Sequence, residues 1–331
     1  MHINSIIFIL FSLFIKSIES YPYFPLCLSF DSNATILNTL NGQVKGRCSN
    51  ITIKYATKPT EYKPIVSFLG IPYAQPPIGN LRFKNPLPAN SWNDTLDGNK
   101  LPNRCIQQPS ISLLNQSEDC LFLNVFVPYK IYFNAVVLKN DSFKAPVYVY
   151  IHGGYLLVGS SLQEYHEPST FVAMTDVIVV NINYRLGVFG FFYMNGTDAY
   201  GNQGIFDQSL ALKWVYDNAN SFGGDKTKIT IGGQSAGAFS VAFHLVFNQS
   251  WSYFSSAIIE SGNLLDHNNT LLSTDEATRR SNIITNRVNC SNYTNEQTLQ
   301  CMRQISNSSL ILEASYTILN YPLMVLHFLK D

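Results

Sequence analysis

The sequence predicts an α/β protein built on a mostly parallel, doubly wound sheet. Three observations carry this prediction. Residues 146–151 and 176–184 are nearly continuous apolar runs, as strands buried on both faces require. Strand-like and helix-like segments alternate between residues 119 and 260, the order of a sheet wound by crossover helices. Finally, residues 229–238 run from a short β-branched stretch through Gly233-Gln234-Ser235-Ala236-Gly237 into a helix-forming stretch.

That last stretch reads as strand, tight turn and helix. The turn is sharp enough to push Ser235 toward strained backbone angles. Gly233 and Gly237, two residues before and after it, let strand and helix pass closely. The helix N-terminus then aims free N–H groups and a partial positive charge at whatever Ser235 attacks. This is the form of a nucleophile elbow. Taken alone, the same residues also fit an ordinary Gly-rich turn. Functional loops in such sheets lie at the C-terminal ends of strands, where both Ser235 and His152-Gly153-Gly154 fall.

The chain has 331 residues, 46% hydrophobic and 13% charged, with a formal net charge of zero. That length suits one large domain or two small ones. The charge balance offers no argument for a nucleic-acid or anionic-membrane partner. Residues 1–20 read as a secretory signal, with an apolar core at residues 6–15 and the small Ser20 at the cleavage point. This stretch is short for a bilayer span, although its weak n-region leaves an uncleaved anchor open. The cysteines are even in number: Cys27, Cys48, Cys105, Cys120, Cys290 and Cys301. They suit three bridges in an oxidising compartment, and no pair stands at metal-ligand spacing. N-x-S/T acceptors recur from Asn33 to Asn307, in keeping with an exported glycoprotein.

In chain order, residues 42–57 alternate apolar and polar, which predicts short antiparallel strands. Residues 68–79 are rich in Pro and Gly, which predicts an extended, irregular path. Residues 119–128 predict a strand pinned at one end by Cys120, and residues 146–151 and 176–184 predict two more. Residues 206–219 have helical spacing, with Leu210, Leu212, Trp214 and Val215 near one face. A strand at 229–231, a helix at 236–246 and a strand at 255–260 follow. Residues 274–289 predict a helix capped by Ser273 or Thr274, and residues 294–305 another. Residues 310–331 are apolar without a clear period.

Several blocks stand in a recognisable order. They are Arg82-Phe83 after residues 68–79, Glu118-Asp119-Cys120-Leu121-Phe122-Leu123-Asn124-Val125, His152-Gly153-Gly154, and Asn183-Tyr184-Arg185-Leu186-Gly187. Gly201-Asn202-Gln203-Gly204 through Asp207-Gln208, then Phe222-Gly223-Gly224-Asp225, then Gln234-Ser235-Ala236-Gly237-Ala238 complete the set. Together they resemble the type-B carboxylesterase family, the α/β-hydrolases that include the cholinesterases and the non-catalytic neuroligins. The resemblance covers residues 42–303. It implies an α/β-hydrolase fold of which residues 21–309 form the N-terminal portion, missing its C-terminal strands and helices; residues 310–331 diverge from the family. It implies Ser235 as nucleophile, with Gly153, Gly154 and Ala236 as oxyanion-hole donors. Each such donor stabilises the developing charge by about 3–4 kcal/mol. It also pairs Cys105 with Cys120 and Cys290 with Cys301, leaving Cys27 and Cys48 to pair by parity. No metal or organic cofactor is implied, and the substrate is a small-molecule carboxylic ester.

Four departures from the family stand out. Tyr155 occupies the place of a third glycine in the oxyanion loop, so a side chain needs room there. Gln234 precedes the nucleophile where the family commonly has Glu. No Trp lies between Cys105 and Cys120, whereas cholinesterases use one there to hold choline by cation–π contact. Lastly, an acyl-transferring serine needs a base, and the base an orienting acid. His244, His267 and His327 follow Ser235, but none stands in a His-Gly-x-Glu-like context, and no acid stands in an Asp-Glu-Gly-like one. His244 lies nine residues along the elbow helix and faces core or solvent. The catalytic base and acid are therefore expected to be absent, leaving a secreted esterase that is incomplete and inactive as written. The alternative is a non-catalytic, esterase-like binding or adhesion protein.

Overall fold

The structure, a computed structural model, describes residues 35–108, 115–162, 167–264, 271–291, 294–316 and 324–325. Residues 1–20, Cys27, His267 and His327 lie outside the described residues. The framework is a seven-stranded sheet: β1 (Arg47–Ile53), β2 (Glu61–Pro72), β3 (Phe122–Pro128), β4 (Ala145–Ile151), β5 (Ile178–Ile182), β6 (Gly224–Gln234) and β7 (Ser256–Glu260). The strands lie in the order β7-β6-β4-β5-β3-β2-β1. β4, β5, β6 and β7 run parallel. Beyond β5 the sheet turns antiparallel, through β3 and β2 to β1. The short link of residues 54–60 allows only an antiparallel β1–β2 pair. The continuous apolar runs lie mid-sheet, where β5 is buried at every residue and β3 at all but Phe122.

The Pro/Gly-rich stretch corrects the sequence expectation. Phe68 to Pro72 belong to β2 rather than to an irregular loop. Gly70, at φ 66, takes up a register shift between Phe68 and Ile71, so pairing to β3 resumes through Pro72. Proline is tolerated there because it terminates the strand. The expected irregular path begins only at Tyr73, whose hydroxyl donates to Asn183 O at 2.7 Å.

The longer α-helices among the described residues are α1 (Ser169–Met174), α2 (Gly187–Phe191), α3 (Gln203–Asn218), α4 (Ala236–Val246), α5 (Thr274–Arg287), α6 (Asn295–Gln304) and α7 (Ser308–Ser315). α3 and α4 bury Leu212, Val215, Phe239 and Val241 in one cluster with Val147, Val149, Ile151 and Ile231 of the sheet. On the opposite face Val172 of α1 packs with Ile65, Phe126 and Val179. Each such side chain contributes about 1.5–3 kcal/mol by leaving water. α5, α6 and α7 build a separate cluster with α2 and Phe83. Their N-termini are capped by side chains: Ser273, one of the two expected caps, accepts from Glu276 N, Thr294 and Gln297 form a capping box, and Asn307 accepts from Ser309 N at the start of α7, a helix the sequence reading did not expect.

Disulfides join Cys105 to Cys120 and Cys290 to Cys301. β7 is the sheet edge, and Ile258 and Ile259 remain 45% and 40% exposed among the described residues. No helix among those residues is long and apolar enough to cross a membrane.

Candidate active site

Ser235 stands between β6 and α4 with φ 56 and ψ −121, angles that a residue with a side chain rarely adopts. Two backbone hydrogen bonds hold it there. Ser235 N donates to Glu260 O, and Phe239 N donates to Ser235 O, both at 2.9 Å. The flanking glycines permit the approach that the turn demands. A Cβ on Gly233 would lie 2.6 Å from Ile151 O, and one on Gly237 would collide with that same carbonyl. Ala236 opens α4, so its N–H has no partner inside the helix.

The loop after β4 meets this turn from the other side. A Cβ on Gly153 would come 2.5 Å from Gln234 O and 3.4 Å from Ser235 Cβ, so the Gly153 backbone lies directly against the elbow. Gly154, at φ 115, leads into a tight turn in which its carbonyl accepts from Leu157 N and Val158 N. Among the described residues no backbone carbonyl accepts from Gly153 N or Gly154 N. The structure thus sets Gly153 against the turn that carries Ser235 and Ala236, with Gly154 next to it in the loop.

Tyr155 finds room by turning outward: its backbone is left-handed at φ 59 and its side chain is 66% exposed. Leu156, also left-handed, is fully buried and anchors the loop, its carbonyl accepting from Gly187 N at 2.8 Å. Gln234 is exposed at the end of β6.

His152 and His244 are the only histidines among the described residues, and both are engaged away from Ser235. His152 is buried beneath the loop and stacks on Tyr184 at 4.4 Å between ring centroids. Its Nδ1 lies 2.8 Å from Gly153 O, to which it must donate, while Tyr184 Oη donates to His152 O. Sequence reading missed this brace. The signal was available in Gly159, which leaves space for the imidazole.

His244 faces the core. Its Nδ1 lies 2.9 Å from Ser250 Oγ and its Nε2 3.0 Å from Gln208 Oε1. Burial drives its pKa down to about 3, so the ring is neutral at ordinary pH. Gln208 in turn donates to Ser240 Oγ, which donates to Ala236 O, so the histidine braces the elbow helix from below. Glu260 is the carboxylate beside the elbow, in register with Gln234. It is exposed, and its charge adds to burial in raising the Tyr150 phenol to about 12. Among the described residues no three His, Cys, Asp or Glu side chains cluster to hold a metal.

Residues 33–327 match the model of the carboxylesterase family. The chain is 41% identical to acetylcholinesterase 1 of Caenorhabditis briggsae over 215 residues, 60% of this chain and 33% of that protein. It is 34% identical to a cholinesterase of Mus musculus over 325 residues, 92% of this chain and 50% of that protein. To a cocaine esterase of Oryctolagus cuniculus it is 36% identical over 301 residues, 85% of this chain and 51% of that protein. The chain thus spans a third to a half of the length of these relatives. With its mixed sheet, its elbow and this match over most of its length, the chain belongs to the carboxylesterase family and carries the α/β-hydrolase fold.

Proposed function

We propose that Ser235 is the nucleophile of a carboxylic ester hydrolase that works through an acyl-enzyme. Ser235 Oγ attacks the ester carbonyl, the bond to the alcohol oxygen breaks, and the alcohol departs with the serine proton. Water then attacks the acyl-enzyme and releases the acid. Gly153, Gly154 and Ala236 supply N–H donors to the oxyanion. The observation that carries this reading is the elbow: a serine held at φ 56 and ψ −121 on a helix N-terminus, with Gly153 packed against it. Neutral Gln234 and the lack of Trp between Cys105 and Cys120 favour an uncharged small-molecule ester over a choline ester.

The general base and its acid partner come from neither His152 nor His244. On this reading the 331-residue polypeptide by itself performs no Ser235-dependent turnover. The engagement of both histidines elsewhere also favours a second reading, an esterase-like secreted binding protein. Sequencing the message past codon 331 separates the two. A frame continuing into Asp-Glu-Gly-like and His-Gly-x-Glu-like motifs supports the enzyme, and a stop there supports the binding protein.

Export through the secretory pathway completes the proposal, with residues 1–20 as signal and residues 21–309 as the hydrolase portion. The two disulfides and the exposed Asn93, Asn195 and Asn307 acceptors support it. N-terminal sequencing of secreted material distinguishes a cleaved signal from a retained anchor.

A further inference from the structure

Two buried ion pairs, Arg82–Glu118 and Arg185–Asp207, meet at one small cavity that Arg82, Glu118 and Arg185 help to line. Arg82 grips Glu118 through Nε and Nη2, both at 2.6 Å, and its Nη1 donates to the carbonyls of Met302, Arg303 and Ile305. Arg185 grips Asp207 through Nε at 2.8 Å and Nη2 at 2.6 Å. The side chains of Arg82 and Glu118 are 5% and 11% exposed, and those of Arg185 and Asp207 3% and 0%. Every guanidinium nitrogen of Arg82 therefore has a partner. Arg185 Nη1 is buried and has none among the described residues.

The cavity is lined by Arg82, Phe83, Cys105, Glu118, Cys120 and Arg185, among others, and offers about 10 Å³ to the centre of a water-sized sphere. That is about the room one water needs, and an unsatisfied charged donor beside it is costly.

We propose that this cavity is a binding site for a single internal water, which accepts from Arg185 Nη1 and links the two ion pairs. Size and charge select the ligand. Two arginines and two carboxylates already balance, so an anion such as chloride would carry an uncompensated charge into a buried space. A cation would face the guanidinium donors. Water accepts from Arg185 and keeps two protons for acceptors on the cavity wall, of which the Glu118 carboxylate is the strongest.

The linked network joins five separate parts of the chain: the loop after β2, the disulfide loop of Cys105 and Cys120, the segment between β5 and α2, α3 through Asp207, and the end of α6. The inference does not depend on the chemistry proposed for Ser235. A crystal structure of the 331-residue chain, grown once in chloride and once in bromide, tests it. The expected result is one ordered water about 3 Å from Arg185 Nη1 in both crystals, with no bromide anomalous signal in the cavity. A dry cavity, an Arg185 Nη1 turned onto a protein carbonyl, or bromide in the cavity would each overturn it.

Discussion

Ser235 keeps a backbone that glycine would adopt more easily, and the chain around it is arranged to hold that strain. Glu260 O, Phe239 N and the close passage of Gly233 and Gly237 all fix the same turn. Ser235→Gly should therefore raise stability by up to about 1 kcal/mol in urea unfolding, while Ser235→Ala, still strained, should change it little. Gly237→Ala should have the opposite effect. Its new Cβ meets the Ile151 carbonyl, which is backbone and cannot rotate away, so a loss of about 1–3 kcal/mol is expected in the same assay. His244 supplies a pH signature. Its folded pKa of about 3 lies below the ordinary histidine value, so the unfolded chain binds the extra proton first. Stability is unaffected by this group above pH ~6.5 and falls by up to ~1.4 kcal/mol per pH unit below it. His244→Gln should flatten that slope between pH 6.5 and 4. Asp225 and Glu276, held down to about 2 chiefly by hydrogen bonds from Thr227 and from Arg279, act only at lower pH.

At the scale of elements, the ordered blocks that revealed the family are mostly braces. Arg185 and Asp207 pair inside the core, Asn183 donates to Asn103 O and Cys120 O, and Gln203 donates to Phe83 O and Phe192 O. Removing one partner leaves a buried charge alone, so Arg185→Met should destabilise by about 3–5 kcal/mol in thermal or denaturant unfolding. Elements with a local cause were legible in the sequence. β3 and β5 announce themselves by continuous apolar runs, α4 by its position after the elbow, and α5 by a cap at Ser273 or Thr274. β2 was hidden because its pairing depends on β3, more than 50 residues away, and on one left-handed Gly70. Asn124 Oδ1 accepts from Gly70 N, a long-range bond that no local pattern displays. At the candidate site, spacing and resemblance named Ser235, Gly153, Gly154 and Ala236, and the structure shows the strained Ser235 turn with Gly153 packed against it. The brace of His152 on Tyr184 and Gly153 O was not, because stacking and tautomer depend on folded geometry.

Across the whole molecule, one sheet carries helices on both faces and sets two loops against each other at its carboxyl edge. The His152 loop and the Ser235 turn meet because β4 and β6 are parallel neighbours, registered Ile151 to Gly233. On the proposed reading, that adjacency brings a nucleophile and oxyanion donors from two strands. Neither histidine among the described residues serves as its base, since both are held on other duties. Binding the oxyanion and activating the serine are, on that reading, separate tasks. The central proposal is that Ser235 stands prepared for acyl transfer while neither described histidine activates it, so that the 331-residue polypeptide has no Ser235-dependent turnover of its own. The most direct test is the steady-state hydrolysis of a chromogenic short-chain ester by the 331-residue chain and by its Ser235→Ala variant. Equal, background rates for the two are predicted. Robust turnover that vanishes in Ser235→Ala would contradict the claim and reveal a base within this chain.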